Sequence, residues 1–168
     1  MRTRIHLDRQ GSVAVEFALL AALFLLPLLL FAGDFVMIIS AQSQLNVALQ
    51  ALYYAALTDP GNAGNATLAQ NVINAINQHA AYQLTVPAKI TVSGSSVNNP
   101  AWSYVCYTKK AQTPSFSAPS TTNNCNSATQ STIDFVNYKV STTLSLPVPL
   151  PGVGSSLTLS AQGAIQAQ

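Results

Sequence analysis

The apolar positions of this chain change their pattern twice, and each change marks a new element. From Phe17 to Gly33, FALLAALFLLPLLLFAG, 17 residues pass without a charge, about 25 Å of α-helix. Counting from Ser12 lengthens the stretch to about 33 Å, enough to cross a hydrocarbon core of about 30 Å if Glu16 is tolerated. Pro27 removes one helical hydrogen bond, and a helix in lipid bends there rather than ends. Past Asp34 the pattern becomes amphipathic. Ala41, Leu45, Ala48, Leu49, Leu52, Ala55 and Ala56 recur at spacings of three and four and line one helical face. No breaker intervenes before Asp59, Pro60 and Gly61. The pattern predicts one helix from about residue 12 to 57, about 70 Å long. Its first half faces lipid and its second lies against a domain.

After the turn-rich DPGNAGN, Leu68, Val72, Ile76 and Ala80 keep helical spacing and predict a short second helix. The period then shortens to two. Leu84, Val86, Ile90 and Val92 read as a strand that Pro87 confines to an edge or a bulge. SGSSVNNP reads as a loop, and Trp102, Tyr104, Val105, Cys106 and Tyr107 as a second strand. Between residues 111 and 132, 15 of 22 side chains are Ser, Thr, Asn or Gln, with Pro114 and Pro119 as breakers. That composition cannot build a core, so the stretch reads as a long surface loop pinned by Cys125. Val136, Tyr138, Val140, Thr142, Leu144 and Leu146 alternate with polar partners. PVPLPGVG reads as an extended connection, and Leu157, Leu159 and Ala161 mark a last strand. Two alternating runs joined by a short break suggest an antiparallel hairpin packed on the amphipathic helix.

The expected class is therefore α+β: a long N-terminal membrane-embedded helix whose C-terminal half packs on a small antiparallel sheet, with a short second helix. The expected organisation is a leader over 1–11, a transmembrane and assembly helix over 12–34, its amphipathic continuation over 35–58, and a small exported domain over 59–168.

Charge sharpens this picture. Only 7% of the 168 residues are charged, against about a quarter in typical soluble domains, which suggests the neutral polar surface of an exported protein. The formal net charge is +2, and the leader accounts for all of it through Arg2, Arg4 and Arg9 against Asp8. Beyond it, Glu16, Asp34, Asp59 and Asp134 balance Lys89, Lys109, Lys110 and Lys139. The positive balance is thus no sign of nucleic-acid binding. By the positive-inside rule it puts the leader in the cytoplasm and the domain across the membrane. There, Cys106 and Cys125, which enclose 18 residues, would form a disulfide worth roughly 3 kcal/mol in loop closure.

The candidate site lies at the start of the apolar run. A carboxylate in a membrane helix costs about 2.5 to 3.5 kcal/mol at the bilayer centre and marks function by default. A nearby cation would offset it. Cleavage between Gly11 and Ser12 would create one, an α-amino group about one helical turn from Glu16, in its own chain or a neighbour's.

The run Gly11-Ser-Val-Ala-Val-Glu16-Phe17, with a basic leader before it and an apolar helix after it, resembles the prepilin-peptidase motif of type IV pilin-like proteins. Val15-Glu16-Phe17-Ala18-Leu19 is especially similar to the TadE-like minor pseudopilins of tight-adherence (Flp-type) pilus systems. The motif covers about 25 residues, and the globular part carries none that can be matched. The resemblance implies an inner-membrane prepilin peptidase cutting after Gly11, with Ser12 as the mature N-terminus. It implies that Glu16 pairs with the terminal amine of an adjacent subunit and sets axial register. The partners implied are other pilins or minor pseudopilins, the peptidase, the inner-membrane assembly platform and lipid. Two departures favour a minor component over the bulk subunit: Phe17 stands where the major Flp pilins have tyrosine, and those pilins are nearly all helix.

Other readings of the same residues remain open. A secretory signal peptide over 1–33 would carry Glu16 inside its apolar core. An uncleaved anchor would hold a periplasmic or surface domain whose disulfide loop binds an extracellular ligand. Enzyme function finds no support. His6 falls in the leader, His79 stands alone on the second helix, and no metal-spaced cluster, nucleophile elbow or phosphate loop is present. No metal or cofactor is implied. Lys109-Lys110 reads as a solvated pair, Asn65-Ala-Thr67 as a chance glycosylation pattern, and Trp102, Tyr104 and Tyr107 as packing residues rather than a recognition surface.

Overall fold

The computed structural model describes residues 5–108, 113–150 and 154–167. The architecture is α+β, with a long N-terminal apolar helix, a short second helix and antiparallel sheets. The helical backbone begins at Ile5, within the expected leader and earlier than the predicted start near residue 12. Helix α1 (Ile5–Leu20) passes through a π-helical turn (Ala21–Leu25) into α2 (Leu26–Thr58). In the π turn the Leu26 N–H donates to the Ala21 carbonyl, five residues back. Pro27, the next residue, has no N–H to give, and the ladder widens just before it instead of breaking. The chain divides into two compact units, residues 1–39 with 145–157, and residues 40–144 with 158–168.

In the first unit the apolar run points outward. Phe17, Leu23, Phe24, Leu28 and Leu29 are each between 64% and 69% exposed, the reverse of a helix that belongs in a water-soluble core. Asp34, by contrast, is 2% exposed.

In the second unit, Leu45, Ala48, Leu52 and Ala56 of α2 are fully buried and meet Val136, Tyr138 and Val140 of the sheet. This is the expected 3.6-residue stripe against the expected alternating strand. The opposite face of α2 leaves Val47, Tyr54 and Leu57 exposed. Helix α3 (Ala66–Asn77) adds Ala69 and Ile73 to the same core. Asn65 caps it by accepting from the Thr67 N–H at 2.9 Å, so the Asn-Ala-Thr pattern has a structural use. His79 lies in the turn after α3, not on the helix. Gly64 faces the Trp102 indole closely enough that any side chain there would collide with the ring.

Strands β1 (Lys89–Val92) and β2 (Ser95–Asn98) form a hairpin through Ser93 and Gly94, whose φ angles of 52° and 81° are left-handed. The expected loop SGSSVNNP therefore contains a strand. The expected strand from Leu84 starts only at Lys89, because upstream only Thr85 pairs, with Ser141. Strands β3 (Ala101–Thr108), β4 (Gln130–Leu150) and β5 (Gly154–Gln166) form the main sheet in that order. The expected connection PVPLPGVG is shorter than its composition suggests, since Pro147–Leu150 belongs to β4 and Gly154 to β5.

Asn99 joins the hairpin to the sheet. Its side-chain amide donates to the carbonyls of Pro87 at 2.9 Å and Lys139 at 2.7 Å, and its side-chain oxygen accepts from the Lys139 N–H at 3.0 Å. The polar stretch after β3 is more than a loop. Cys106 and Cys125 are disulfide-bonded, with Cα atoms 5.3 Å apart. Within that ring, residues 115–120 fold back along the outer edge of β3, through bonds of Tyr104 with Ser120, of the Ser117 N–H to Cys106, and of the Thr108 N–H to Ser115. Phe116 stacks on Tyr107 with ring centroids 6.1 Å apart. This flap covers a strand edge that would otherwise offer unpaired backbone groups. Lys109 and Lys110 lie outside the described residues.

Candidate functional site

Gly11, Ser12, Glu16 and Phe17 share the single helix α1. A helical backbone through this stretch sets Ser12 and Glu16 four residues apart, one turn along a common face and about 6 Å in rise. Glu16 and Phe17 are on the surface, Phe17 with 66% of its area exposed. A shallow depression beside Glu16 is lined by Leu19, Leu20, Leu23 and Phe24. A cation that met the carboxylate there would do so among hydrocarbon side chains, where charges attract more strongly than in water. The depression runs into the π turn, so helix widening and carboxylate share one short stretch.

By length and composition, the helical stretch Val13–Thr58 could cross a membrane, and none of the side chains in its most apolar part is buried. Such a helix fits a membrane anchor. Cys106 and Cys125, the remaining expected pair, are joined in the other unit. Among the described residues no group of three His, Cys, Asp or Glu side chains is arranged to hold a metal ion.

Asp34 is the residue that sequence reasoning passed over. It reads as the polar exit of the apolar run, yet both carboxylate oxygens are buried and find no hydrogen-bond partner among the described residues. The signal was present in the spacing. Asp34 stands seven residues before Ala41 and falls on the helical stripe that continues through Leu45, Ala48 and Leu52. A carboxylate on a buried stripe is costly unless something pairs with it.

The other buried polar group of note is satisfied. Tyr138, 1% exposed, donates its hydroxyl to the Ala63 carbonyl at 2.5 Å. Burial pushes its pKa up to about 12 and also raises that of Tyr53, whose ring lies 6.3 Å from it.

No curated protein and no solved structure matches this chain. A family does: residues 11–51 of the 168 match the model described as TadE-like protein. The match begins at Gly11, takes in Glu16, the apolar run and Asp34, and ends within α2, so this segment of the N-terminal helix is similar to the TadE-like family.

Proposed function

We propose that this chain is a minor pseudopilin taking part in the assembly or initiation of a tight-adherence (Flp-type) type IV pilus, a structural rather than a catalytic role. One observation carries the reading: Gly11, Glu16 and an apolar run of membrane-spanning length lie on one unbroken helix inside the TadE-like segment. In this reading residues 1–11 are a cytoplasmic leader, residues 12–34 span the inner membrane, and residues 59–168 form the exported domain. A prepilin peptidase hydrolyses the Gly11–Ser12 peptide bond, leaving a carboxylate on Gly11 and an ammonium on Ser12. Because the helix already runs through this bond, the peptidase must unwind it locally. Glycine lowers that cost by about 1 kcal/mol relative to alanine.

Processing also changes the electrostatics. It removes Arg2, Arg4, Arg9 and Asp8 and leaves balanced side-chain charge with one new cation at Ser12. Glu16 then accepts that ammonium from an adjacent subunit, and the apolar wall of Leu19, Leu20, Leu23 and Phe24 strengthens the pairing by excluding water. Phe17 packs beside it. Other pilins or minor pseudopilins, the peptidase and the inner-membrane platform are the partners this requires.

Mass spectrometry of the protein from its native host should find Ser12 at the N-terminus, and Gly11→Leu should block both maturation and piliation. An intact Met1, or a cut near residue 41, overturns the reading. An intact chain with an exported domain would leave the uncleaved, membrane-anchored binding domain, whose exposed Phe116 is then the first place to test for a ligand. Deleting residues 111–124 would abolish such binding without affecting piliation.

A further inference from the structure

The two edges of the main sheet are treated differently. The β3 edge is covered by the disulfide-closed flap. At the other end of the sheet, among the described residues, no strand lies beyond β5. Natural sheets guard such an edge with lysines, prolines, bulges or short strands. β5 has none of these. It is 13 residues long, it contains no proline, and no charged side chain occurs from Val140 to Gln168.

The pairing of β5 identifies which of its backbone groups face outward. The Thr158 hydroxyl meets that of Thr143 at 3.4 Å, and the Ala167 N–H donates to the Asp134 carbonyl at 2.9 Å. The two pairs are equally far apart on both strands, so no bulge intervenes. Because Ala167 opposite Asp134 is a hydrogen-bonded pair, bonding alternates along the ladder. Odd-numbered residues of β5 bond to β4. Thr158, Ser160, Gln162 and Ala164 turn their N–H and C=O groups away from it, and all four are exposed.

We propose that this edge pairs with the same edge of a second copy of the chain, antiparallel and about a two-fold axis. Any strand edge run antiparallel to itself is self-complementary in hydrogen bonding. What usually forbids the pairing is like charge brought face to face, and this edge carries no charge. Centred on Gln162, residues 160–164 supply about 17 Å of ladder, joining two three-stranded sheets into one of six strands. The inference is independent of leader processing and of the pilus assignment.

The test is the mass of the full-length chain in detergent micelles, followed by sedimentation over a range of concentrations. The wild type should show a reversible dimer. Ala164→Pro removes one outward N–H and leaves every bond to β4 in place. Gln162→Lys sets like charges opposite one another across the new seam. Each should weaken the dimer at least roughly tenfold with the circular dichroism of the wild type. If the proline variant misfolds, Gln162→Lys decides alone. A wild type that is monomeric throughout, or a dimer that survives Gln162→Lys, overturns the proposal.

Discussion

Tyr138 and Asp34 show how differently two buried polar residues can be accommodated. Tyr138 has a partner in the Ala63 carbonyl, and burial holds its hydroxyl protonated up to about pH 12. An unfolded tyrosine ionises near pH 10. Its contribution is therefore complete below about pH 10 and is lost as pH rises through about 12, an amount of about 2–3 kcal/mol. Urea unfolding at pH 9 and pH 11.5 should register the loss. Tyr138→Phe should flatten that dependence and cost about 1 kcal/mol at neutral pH for the missing hydrogen bond. Asp34 has no such partner among the described residues. Replacing the buried carboxylate by a neutral isostere lowers the cost of burying it, so Asp34→Asn should raise thermal stability in micelles, by about 1–3 kcal/mol. A loss of stability would mean that the carboxylate is paired in the folded chain.

At the scale of elements, the hairpin of β1 and β2 depends on one side chain. Asn99→Ala removes three hydrogen bonds to Pro87 and Lys139 and should cost about 2–4 kcal/mol in chemical denaturation. The clamp was not legible in the sequence, where Asn99 stands among turn residues. What was legible is whatever buries side chains with a period. Leu45, Ala48, Leu52 and Ala56 announce α2, and Val136, Tyr138 and Val140 announce β4, because each set must face one core. Elements held mainly by backbone pairing leave no such trace. β2 buries little beyond Val97, and its one cue was the Ser-Gly turn before it. The flap pairs through the backbones of Ser115, Ser117 and Ser120, whose side chains stay largely in solvent. The π turn ends two residues before Pro27, whose missing N–H the sequence does reveal, but where the ladder gives way is a matter of geometry. At the candidate site, Gly11 and Glu16 stood out because their chemistry is unusual at the start of so apolar a helix. Asp34 did not, because a charge at the end of an apolar run looks ordinary until its helical face is counted.

For the whole molecule, scarce charge and the position of the disulfide together decide how the chain comes apart under protease. Beyond residue 11, trypsin has four cleavage sites, after Lys89, Lys109, Lys110 and Lys139. A cut after Lys109 or Lys110 falls inside the ring closed by Cys106 and Cys125, so the nicked chain runs as a single species until it is reduced. Lys89 lies outside that ring, at the first residue of β1. In the wild type Asn99 holds this strand against the sheet. In Asn99→Ala the hairpin should open and cleavage after Lys89 should appear, freeing the N-terminal helix from the rest with or without reductant. The dependence of the fragments on reductant thus tells on one gel which of the two fasteners, the covalent ring or the asparagine clamp, has given way.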